Sequence, residues 1–238
     1  MMHEILESIS QRINGTEVEE NRRIYEFANE FSRRCRICEC ELRESEKHVS
    51  EIDIERLVAE RYAKEIGCWI PITKMFEIGT PGPCGNENDT YLSRKFIYKV
   101  NNLLNSRGSI LQHFIKILLH NSLFEETSYT FLGFTGFSSS TIMPVFQQPL
   151  IKNAIPATPI EISTYMAALG FYSTATEGCF TNGEIEVWDV VARNVLKDND
   201  GDIFVIDAEL RLLSISTSHT HTNKTIILTP VRVLYLCL

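Results

Sequence analysis

Three oxygen-bearing side chains, Asp189, Asn194 and Asp207, lie in one stretch of the sequence that also carries a turn signal. Asp200-Gly201 stands between two apolar runs, which predicts a β-hairpin. With a two-residue loop Asn194 pairs with Asp207, and with a three-residue loop it faces Ile206 and still neighbours Asp207. An amide oxygen and a carboxylate at the open end of a hairpin could share one hard cation such as Mg²⁺. Asp189, just before Asn194, could accept a hydroxyl proton or orient a nucleophile.

The elements that hold these side chains belong to the last part of the chain, residues 151–238. Thr158 as N-cap, Pro159 at the first helical position and Glu161 at the third predict a helix that stops near Gly170. The segments 184–189 and 202–209 are predicted to be strands, because they are short apolar runs bounded by turn residues.

The middle part, residues 67–150, carries less charge and more strand-like patterning. Strands are predicted over 74–79, 129–134 and 141–148, and a strand or a hairpin over 90–100. Ser109 is placed to cap a helix with apolar residues at helical spacing. Gly79, Gly82 and Gly85, together with two prolines, predict a turn between the first two strand segments.

The first part, residues 1–66, holds half of the charged residues of the chain. Its apolar residues recur at helical spacing, with Thr16 and Glu19 as one capping box and Ser50 and Asp53 as a second helix start. Gly67 fits the position that follows a helix end. We therefore expect a helical extension packed on the rest of the chain.

Composition limits the classes of protein that this sequence can encode. The chain has 238 residues, 44% of them hydrophobic and 23% charged, which is ordinary globular usage. A net charge of -8 disfavours a general nucleic-acid binder. No apolar run is long enough to cross a membrane. The start of the sequence lacks the features of an export signal, so we expect a cytoplasmic protein with reduced thiols.

Several short motifs resemble those of protein kinases. The run from Asp189 to Asn194 is similar to their D-x-x-x-x-N catalytic loop, Asp207 to the aspartate of D-F-G, and Lys99 to the lysine of V-A-I-K. In more detail the chain resembles the kinase-like domain of bacterial polyvalent proteins. The pieces that support this resemblance, in order along the chain, are Gly85-Asn86-Glu87, Lys99, His120-Asn121, Gly133-Phe134, Gln148-Pro149, Gly170-Phe171 and the block from Asp189 to Asp207.

The resemblance implies an α+β, protein-kinase-like fold of two lobes behind the N-terminal helical extension. Residues 67–150 would form a small antiparallel-sheet N-lobe and residues 151–238 a reduced, mostly helical C-lobe. It implies an ATP- and Mg²⁺-dependent phosphotransferase whose acceptor is a protein or a small molecule. The implied nucleotide contacts are Lys99 on the phosphates, Gly82, Gly85 and Asn86 over them, and Gln148 near the adenine hinge. Asp189 would be the base, and Asn194 and Asp207 the metal ligands.

The sequence departs from the kinase pattern in ways that leave a second interpretation open. Val187 replaces the histidine of H-R-D, and Asp207-Ala208-Glu209 replaces D-F-G. Between Val100 and Asn121 there is no acidic residue, so the helix glutamate that pairs with the lysine is missing. Its substitute could be Glu87, Glu125 or Glu126. The alternative function is an inactive pseudokinase that binds nucleotide and serves as an interaction module.

Three further patterns could indicate a metal site or a nucleic-acid contact, but a structural interpretation is favoured for each. Cys35, Cys38 and Cys40, with His48, have ligand types suited to Zn²⁺, but the stretch is predicted to be helical and no second Cys-x-x-Cys completes the pattern. His219 and His221 lack a third ligand nearby. The arginines between Arg22 and Arg36 alternate with glutamates, which predicts a salt-bridged surface helix. The N-terminal helices are the expected surface for a protein partner.

Overall fold

The computed structural model describes residues 19–45 and 49–213. The helices are α1 (Glu19–Glu44), α2 (Glu51–Glu65), α3 (Met75–Ile78), α4 (Ile110–Leu123) and α5 (Pro159–Ala168), with short 3-10 helices at Ile72–Lys74, Glu125–Thr127 and Ser139–Thr141. The strands are β1 (Thr80–Pro81), β2 (Asn88–Leu92), β3 (Phe96–Asn101), β4 (Thr130–Thr135), β5 (Met143–Pro149), β6 (Ile155–Pro156), β7 (Tyr172–Ser173), β8 (Phe180–Thr181), β9 (Ile185–Trp188), β10 (Val195–Lys197), β11 (Ile203–Val205) and β12 (Glu209–Leu212).

The strands form three antiparallel sheets, so the fold class is α+β as predicted. The largest sheet has the order β1-β2-β3-β5-β4. A three-stranded sheet has the order β11-β10-β6, and a four-stranded sheet has the order β12-β9-β8-β7. In the part of the chain that the structure describes, no helix has both the length and the apolar run needed to cross a membrane.

The helix starts that were predicted from capping patterns are confirmed. Ser50 Oγ accepts a hydrogen bond from the backbone N–H of Asp53 at 3.1 Å, and Ser109 Oγ caps α4 in the same way. Thr158 and Glu161 form a capping box, in which Glu161 Oε2 accepts from Thr158 N at 2.8 Å. These predictions succeed because a cap depends only on residues three positions apart. Of the other predicted capping box, Thr16 lies outside the described residues.

Helix α4 lies at the centre of the core and is buried on nearly every side. It packs against α1, α2 and β12, and its His113 and Phe114 rings contact Phe131 and Phe146 of the largest sheet. Phe27 of α1 stacks within 4.7–6.0 Å of five aromatic rings, which are those of Phe31, Tyr62, Phe114, Phe131 and Phe134. The cluster joins α1 to α2, α4 and β4, so the first helix shares one apolar core with the sheet.

The outer face of α1 carries the predicted ladder of ion pairs. Arg22 pairs with Glu19, Arg33 with Glu30, and the Arg34 guanidinium bridges to Glu65 on α2 at 2.6 Å. Cys35 and Cys38 lie one turn apart on the inner face and are buried as small apolar residues. Cys40 is exposed, and His48 lies outside the described residues.

Two predicted elements are wrong in the described part of the chain. Residues 74–78 are helical and only Gly79 is extended, because Lys74 and Glu77 pair across one turn at 2.7 Å and Met75 is the side chain that enters the core. Residues 151–213, predicted to be part of a mostly helical lobe, contain α5 and the short strands β6–β12. Positive φ angles break this region into short pieces, at Gly170, Gly178, Gly183 and Gly201.

Candidate functional site

The hairpin formed by β10 and β11 has a three-residue loop, one of the two geometries that the sequence allows. Val195 pairs with Val205 and Lys197 with Ile203, and Gly201 adopts a φ of +92° in the loop. Asn194 therefore lies opposite Ile206, whose N–H donates to the Asn194 carbonyl at 2.9 Å. This register puts Asp207 directly beside the Asn194 segment.

The predicted strand over 202–209 is interrupted at 206–208, and β11 and β12 belong to different sheets. The Ile206 carbonyl leaves the ladder because two side chains donate to it, Lys99 Nζ at 2.9 Å and Tyr129 Oη at 3.1 Å. After the break, β12 pairs with β9 so that Glu209 faces Trp188. Asp189 is the residue that follows this end of β9.

Asp189 and Asn194 are in direct contact. The backbone of Asp189 has a φ of +60°, a left-handed conformation that aspartate tolerates better than most residues. The Asn194 amide nitrogen donates to the Asp189 carbonyl and to its carboxylate Oδ2, both at 2.8 Å, while Arg193 donates to Oδ1. Because the amide nitrogen faces Asp189, the Asn194 side-chain oxygen is turned away from it.

Lys99 extends from β3 into the interior, where 6% of the residue remains exposed. Its Nζ donates to Tyr129 Oη at 2.8 Å and to the Ile206 carbonyl, and lies 3.6 Å from Asp207 Oδ1. Burial lowers the pKa of Lys99, although Asp207 opposes the shift. Burial also acts to raise the pKa of Asp207, but Lys99 and Lys116 outweigh it and hold that pKa below its ordinary value.

Lys116 of α4 is a member of the same cluster that the sequence analysis missed. Its Nζ lies 2.6 Å from Glu209 Oε1 and 3.2 Å from Glu87 Oε2. Burial disfavours its charge, yet Glu209 and Glu87 more than compensate, and the pKa of Lys116 is raised. Of the three glutamates considered as substitutes for the helix carboxylate, Glu87 is the buried one and pairs with Lys116, while Glu125 and Glu126 are exposed.

A sequence signal for Lys116 was present in the pattern of α4. His113, Lys116 and His120 recur at spacings of three and four residues in an otherwise apolar helix, so they share one face. Burial lowers the pKa of His120 to about 3, with the Lys99 charge acting in the same direction. Both histidines are therefore neutral at pH 7, and Lys116 supplies the positive charge of this face.

Glu55 of α2 holds the first turn of α4. Its buried carboxylate accepts from Ile110 N at 2.6 Å, from Leu111 N at 3.2 Å and from Ser109 Oγ. Burial raises its pKa, and the three donors oppose that shift. A carboxylate on the free N–H groups of a helix start satisfies donors that have no partner within the helix. The position of Lys116 along α4 is thus linked to α2.

The glycine-containing turn runs from β1 to β2. Gly82 N donates to the Thr90 carbonyl at 2.8 Å, and a Cβ at Gly82 would lie 2.6 Å from Thr90 Oγ1, so no larger residue fits without a shift. Gly85 and Asn86 are exposed at the tip of the turn. The Asn86 carbonyl accepts from Asn102 Nδ2 at 2.7 Å, which ties the tip to the end of β3.

Gln148, predicted near a hinge, lies at the end of β5 with its side chain turned inward. It is 1% exposed, and its Nε2 donates to the Thr127 carbonyl at 2.7 Å. The backbone beyond it is also held, because Leu150 N donates to the Lys95 carbonyl at 2.9 Å. In this arrangement the Gln148 amide supports the strand end.

Within residues 19–45 and 49–213, no three side chains of His, Cys, Asp or Glu come together in a metal-binding group. Cys35 and Cys38 of α1 are packed in the hydrophobic core. His219 and His221 lie outside the described residues. The two predicted metal ligands, Asp207 and Asn194, comprise one carboxylate and one amide. Such a small donor set is the kind that takes Mg²⁺ when substrate oxygens complete the shell.

A family model described as "Serine/Threonine/Tyrosine Kinase found in polyvalent proteins" matches residues 53–214, more than half of the chain. The chain belongs to this family and contains a kinase-like domain. The match begins within α2, and α1 precedes it. It includes all the charged residues of the buried cluster, which are Glu87, Lys99, Lys116, Asp207 and Glu209. No curated protein matches the chain.

Proposed function

We propose that this kinase-like domain is a phosphotransferase that uses ATP and Mg²⁺ to phosphorylate a protein or a small molecule. The observation that carries the proposal is the ion pair between Lys99 of β3 and Asp207, whose Nζ and Oδ1 atoms lie 3.6 Å apart. The β10–β11 hairpin places Asn194 opposite Ile206, the residue before Asp207, and Asn194 in turn contacts Asp189 at the end of β9. In a two-lobed arrangement, the largest sheet with α4 would form one lobe and residues 151–213 would contribute the other.

Each member of the site has a role that follows from its chemistry. Lys99 would donate to the nucleotide phosphates, since a buried ammonium that pairs with neutral oxygens gains from an anionic ligand. The Asp207 carboxylate, whose side chain is 39% exposed, and the Asn194 amide oxygen would hold Mg²⁺, which would neutralise charge on the phosphates. The Gly82–Asn86 turn would close over the phosphates. Gln148 would shape the adenine end of the pocket from behind the strand.

Asp189 would act on the acceptor rather than on the nucleotide. Arg193 and Asn194 fix the orientation of its carboxylate, which is 39% exposed and so reachable from outside the core. An oriented carboxylate can accept the proton of a hydroxyl group as the phosphoryl group is transferred. The rest of the catalytic effect would be positioning and charge stabilisation, as in other phosphoryl transfers.

A pseudokinase that binds nucleotide without turnover is the second candidate. The observation that favours it is the partner of Lys99, because its nearest carboxylate is Asp207 and α4 carries no acidic residue that could pair with it. A lysine without a dedicated carboxylate partner is less well oriented for the phosphates. Nucleotide binding would then remain while phosphoryl transfer is weak.

Nucleotide binding and turnover in the full chain test both candidates. ATP with Mg²⁺ should raise the melting temperature of the wild type, since a ligand of the native state stabilises it. Lys99→Met should abolish this shift, whereas Lys74→Met, at an exposed ion pair, should retain it. A folded wild type that shows no shift at millimolar ATP and Mg²⁺ would contradict both candidates.

Two aspartate variants separate the enzyme from the pseudokinase. Asp207→Asn should weaken Mg²⁺-dependent binding. Asp189→Asn should keep ATP affinity while autophosphorylation or ATP hydrolysis falls by about 10²–10⁴-fold, the range typical of losing a general base. Loss of rate with binding retained marks an interaction made only in the transition state. Turnover of the wild type no higher than that of Asp189→Asn would favour the pseudokinase.

A further inference from the structure

Lys116 connects two segments of the site that are far apart in sequence. Glu209 is the first residue of β12 and lies two residues after Asp207. Glu87 ends the glycine-containing turn and immediately precedes β2. Lys116 Nζ lies within 3.2 Å of both carboxylates, and its side chain is 8% exposed. One ammonium group on α4 therefore bridges the metal-binding segment and the turn.

Neither carboxylate has another charged partner of comparable strength among the described residues. Glu87 Oε1 is buried without any hydrogen-bond partner there, so Glu87 relies on Lys116 through its other oxygen. Glu209 Oε1 accepts one further bond, from Asn105 Nδ2 at 2.9 Å. Buried carboxylates need a cation or several donors to stay charged. The two glutamates are thus held together by the lysine between them.

We propose that Lys116 is a positioning residue for the metal site, which it serves by binding Glu209 behind Asp207 and Glu87 at the foot of the turn. The inference rests on the proposed Mg²⁺- and ATP-binding function. In this arrangement a lysine of α4 anchors two carboxylates of the site. The kinase resemblance implied the reverse, a helix carboxylate that anchors a lysine. Lys99 is left to the nucleotide, because its own hydrogen-bond partners are Tyr129 Oη and the Ile206 carbonyl.

Removal of the Lys116 charge has a specific consequence for Mg²⁺. Glu87 and Glu209 would be two buried like charges without a counterion, and they would separate. This separation displaces the start of β12 and with it Asp207. Loss of a residue that orients a metal ligand typically weakens metal affinity by about 10–100-fold. Nucleotide binding without the metal depends mainly on Lys99 and should fall by a smaller factor than Mg²⁺ affinity.

The test titrates Mg²⁺ into the full chain at a fixed ATP concentration and compares the midpoint with ATP affinity in EDTA. Lys116→Met should raise the Mg²⁺ midpoint by roughly 10–100-fold and lower ATP affinity in EDTA by a clearly smaller factor. Lys116→Arg keeps the charge and should restore most of the Mg²⁺ affinity. Lys74→Met is the matched control, since it removes a lysine from an exposed pair with Glu77. A folded Lys116→Met with the wild-type Mg²⁺ midpoint overturns the inference.

Glu209→Gln gives a second variant that keeps the shape of the side chain. It should raise the Mg²⁺ midpoint less than Lys116→Met does, and the double variant should lose less than the sum of the two single losses. Additive effects, or a folded Glu209→Gln with the wild-type midpoint, overturn the inference while wild-type binding still supports the proposed function. A wild type that binds no Mg²⁺ and ATP overturns the function and the inference together.

Discussion

Lys99 on β3 and Lys116 on α4 enter the same buried cluster, and the side chain of each is 8% exposed. Their partners differ in kind. Lys99 donates to a tyrosine hydroxyl and a backbone carbonyl, with its nearest carboxylate at 3.6 Å. Lys116 is held between two carboxylates, the nearer at 2.6 Å. Equal burial therefore leaves one lysine under-compensated and the other fully paired.

The pKa directions of the two lysines follow from this difference. Burial lowers the pKa of Lys99, and for Lys116 burial is outweighed by Glu209 and Glu87, so that pKa is raised. Groups with perturbed pKa values cluster at functional sites. The difference therefore supports the proposals that Lys99 binds the nucleotide and that Lys116 positions the site.

The largest effect that this comparison predicts is on the stability of Lys116→Met. Removing one partner of a buried ion pair leaves uncompensated charge, so the free energy of unfolding should fall by about 3–5 kcal/mol. Urea unfolding followed by circular dichroism measures it, with Lys74→Met as the control at an exposed pair. A Lys116→Met variant as stable as the control would show that the two buried lysines are energetically alike.

A smaller effect is expected at Glu55, which fixes α4 but does not contact β3. Glu55→Gln removes a charged acceptor from the first turn of α4, and the free energy of unfolding should fall by about 1.5–3 kcal/mol. The control is Glu51→Gln, because Glu51 is exposed at the start of α2, the helix that also carries Glu55. Equal losses for both glutamate variants would mean that the cap does not stabilise α4.

Lys99→Met should change the free energy of unfolding least, and any change should be an increase. Methionine fills the same volume without a desolvated charge, and Tyr129 still donates to the Ile206 carbonyl. The urea midpoint should therefore equal or exceed that of the wild type, even though nucleotide binding is lost. A loss of stability comparable to that of Lys116→Met would remove the distinction between the two lysines.

The pH dependence of stability offers a separate check on Lys99. Its folded-state pKa is lowered from the ordinary lysine value of 10.5, so the unfolded chain binds more protons in the interval below 10.5. Wild-type stability should therefore gain a contribution as pH rises through the folded-state pKa of Lys99 towards 10.5. Lys99→Met lacks this gain, so its stability relative to the wild type should decline over that interval. An unchanged difference between the two proteins would contradict a lowered pKa.

The parts of the site that the sequence predicted depend on local geometry. Asn194 and Asp207 were expected to meet because the register of a two- or three-residue hairpin loop leaves few alternatives. The helix starts at Ser50, Ser109 and Thr158 were readable because capping involves residues three positions apart. The motif resemblance in the Asp189–Asp207 block led to the kinase-like family that the family model also identifies.

Tertiary structure alone decided which charges meet. Lys99 reaches the Ile206 carbonyl across 107 residues of sequence, Lys116 reaches Glu209 across 93, and Glu55 caps a helix that starts 55 residues later. No local rule specifies such partners, because they depend on how the helices and the three sheets pack. The interruption of the strand before Asp207 has the same origin, since two side chains from distant elements withdraw one carbonyl from the ladder. Sequence thus determined the reactive residue types and their nearest neighbours, and packing determined which partners each of the two buried lysines meets.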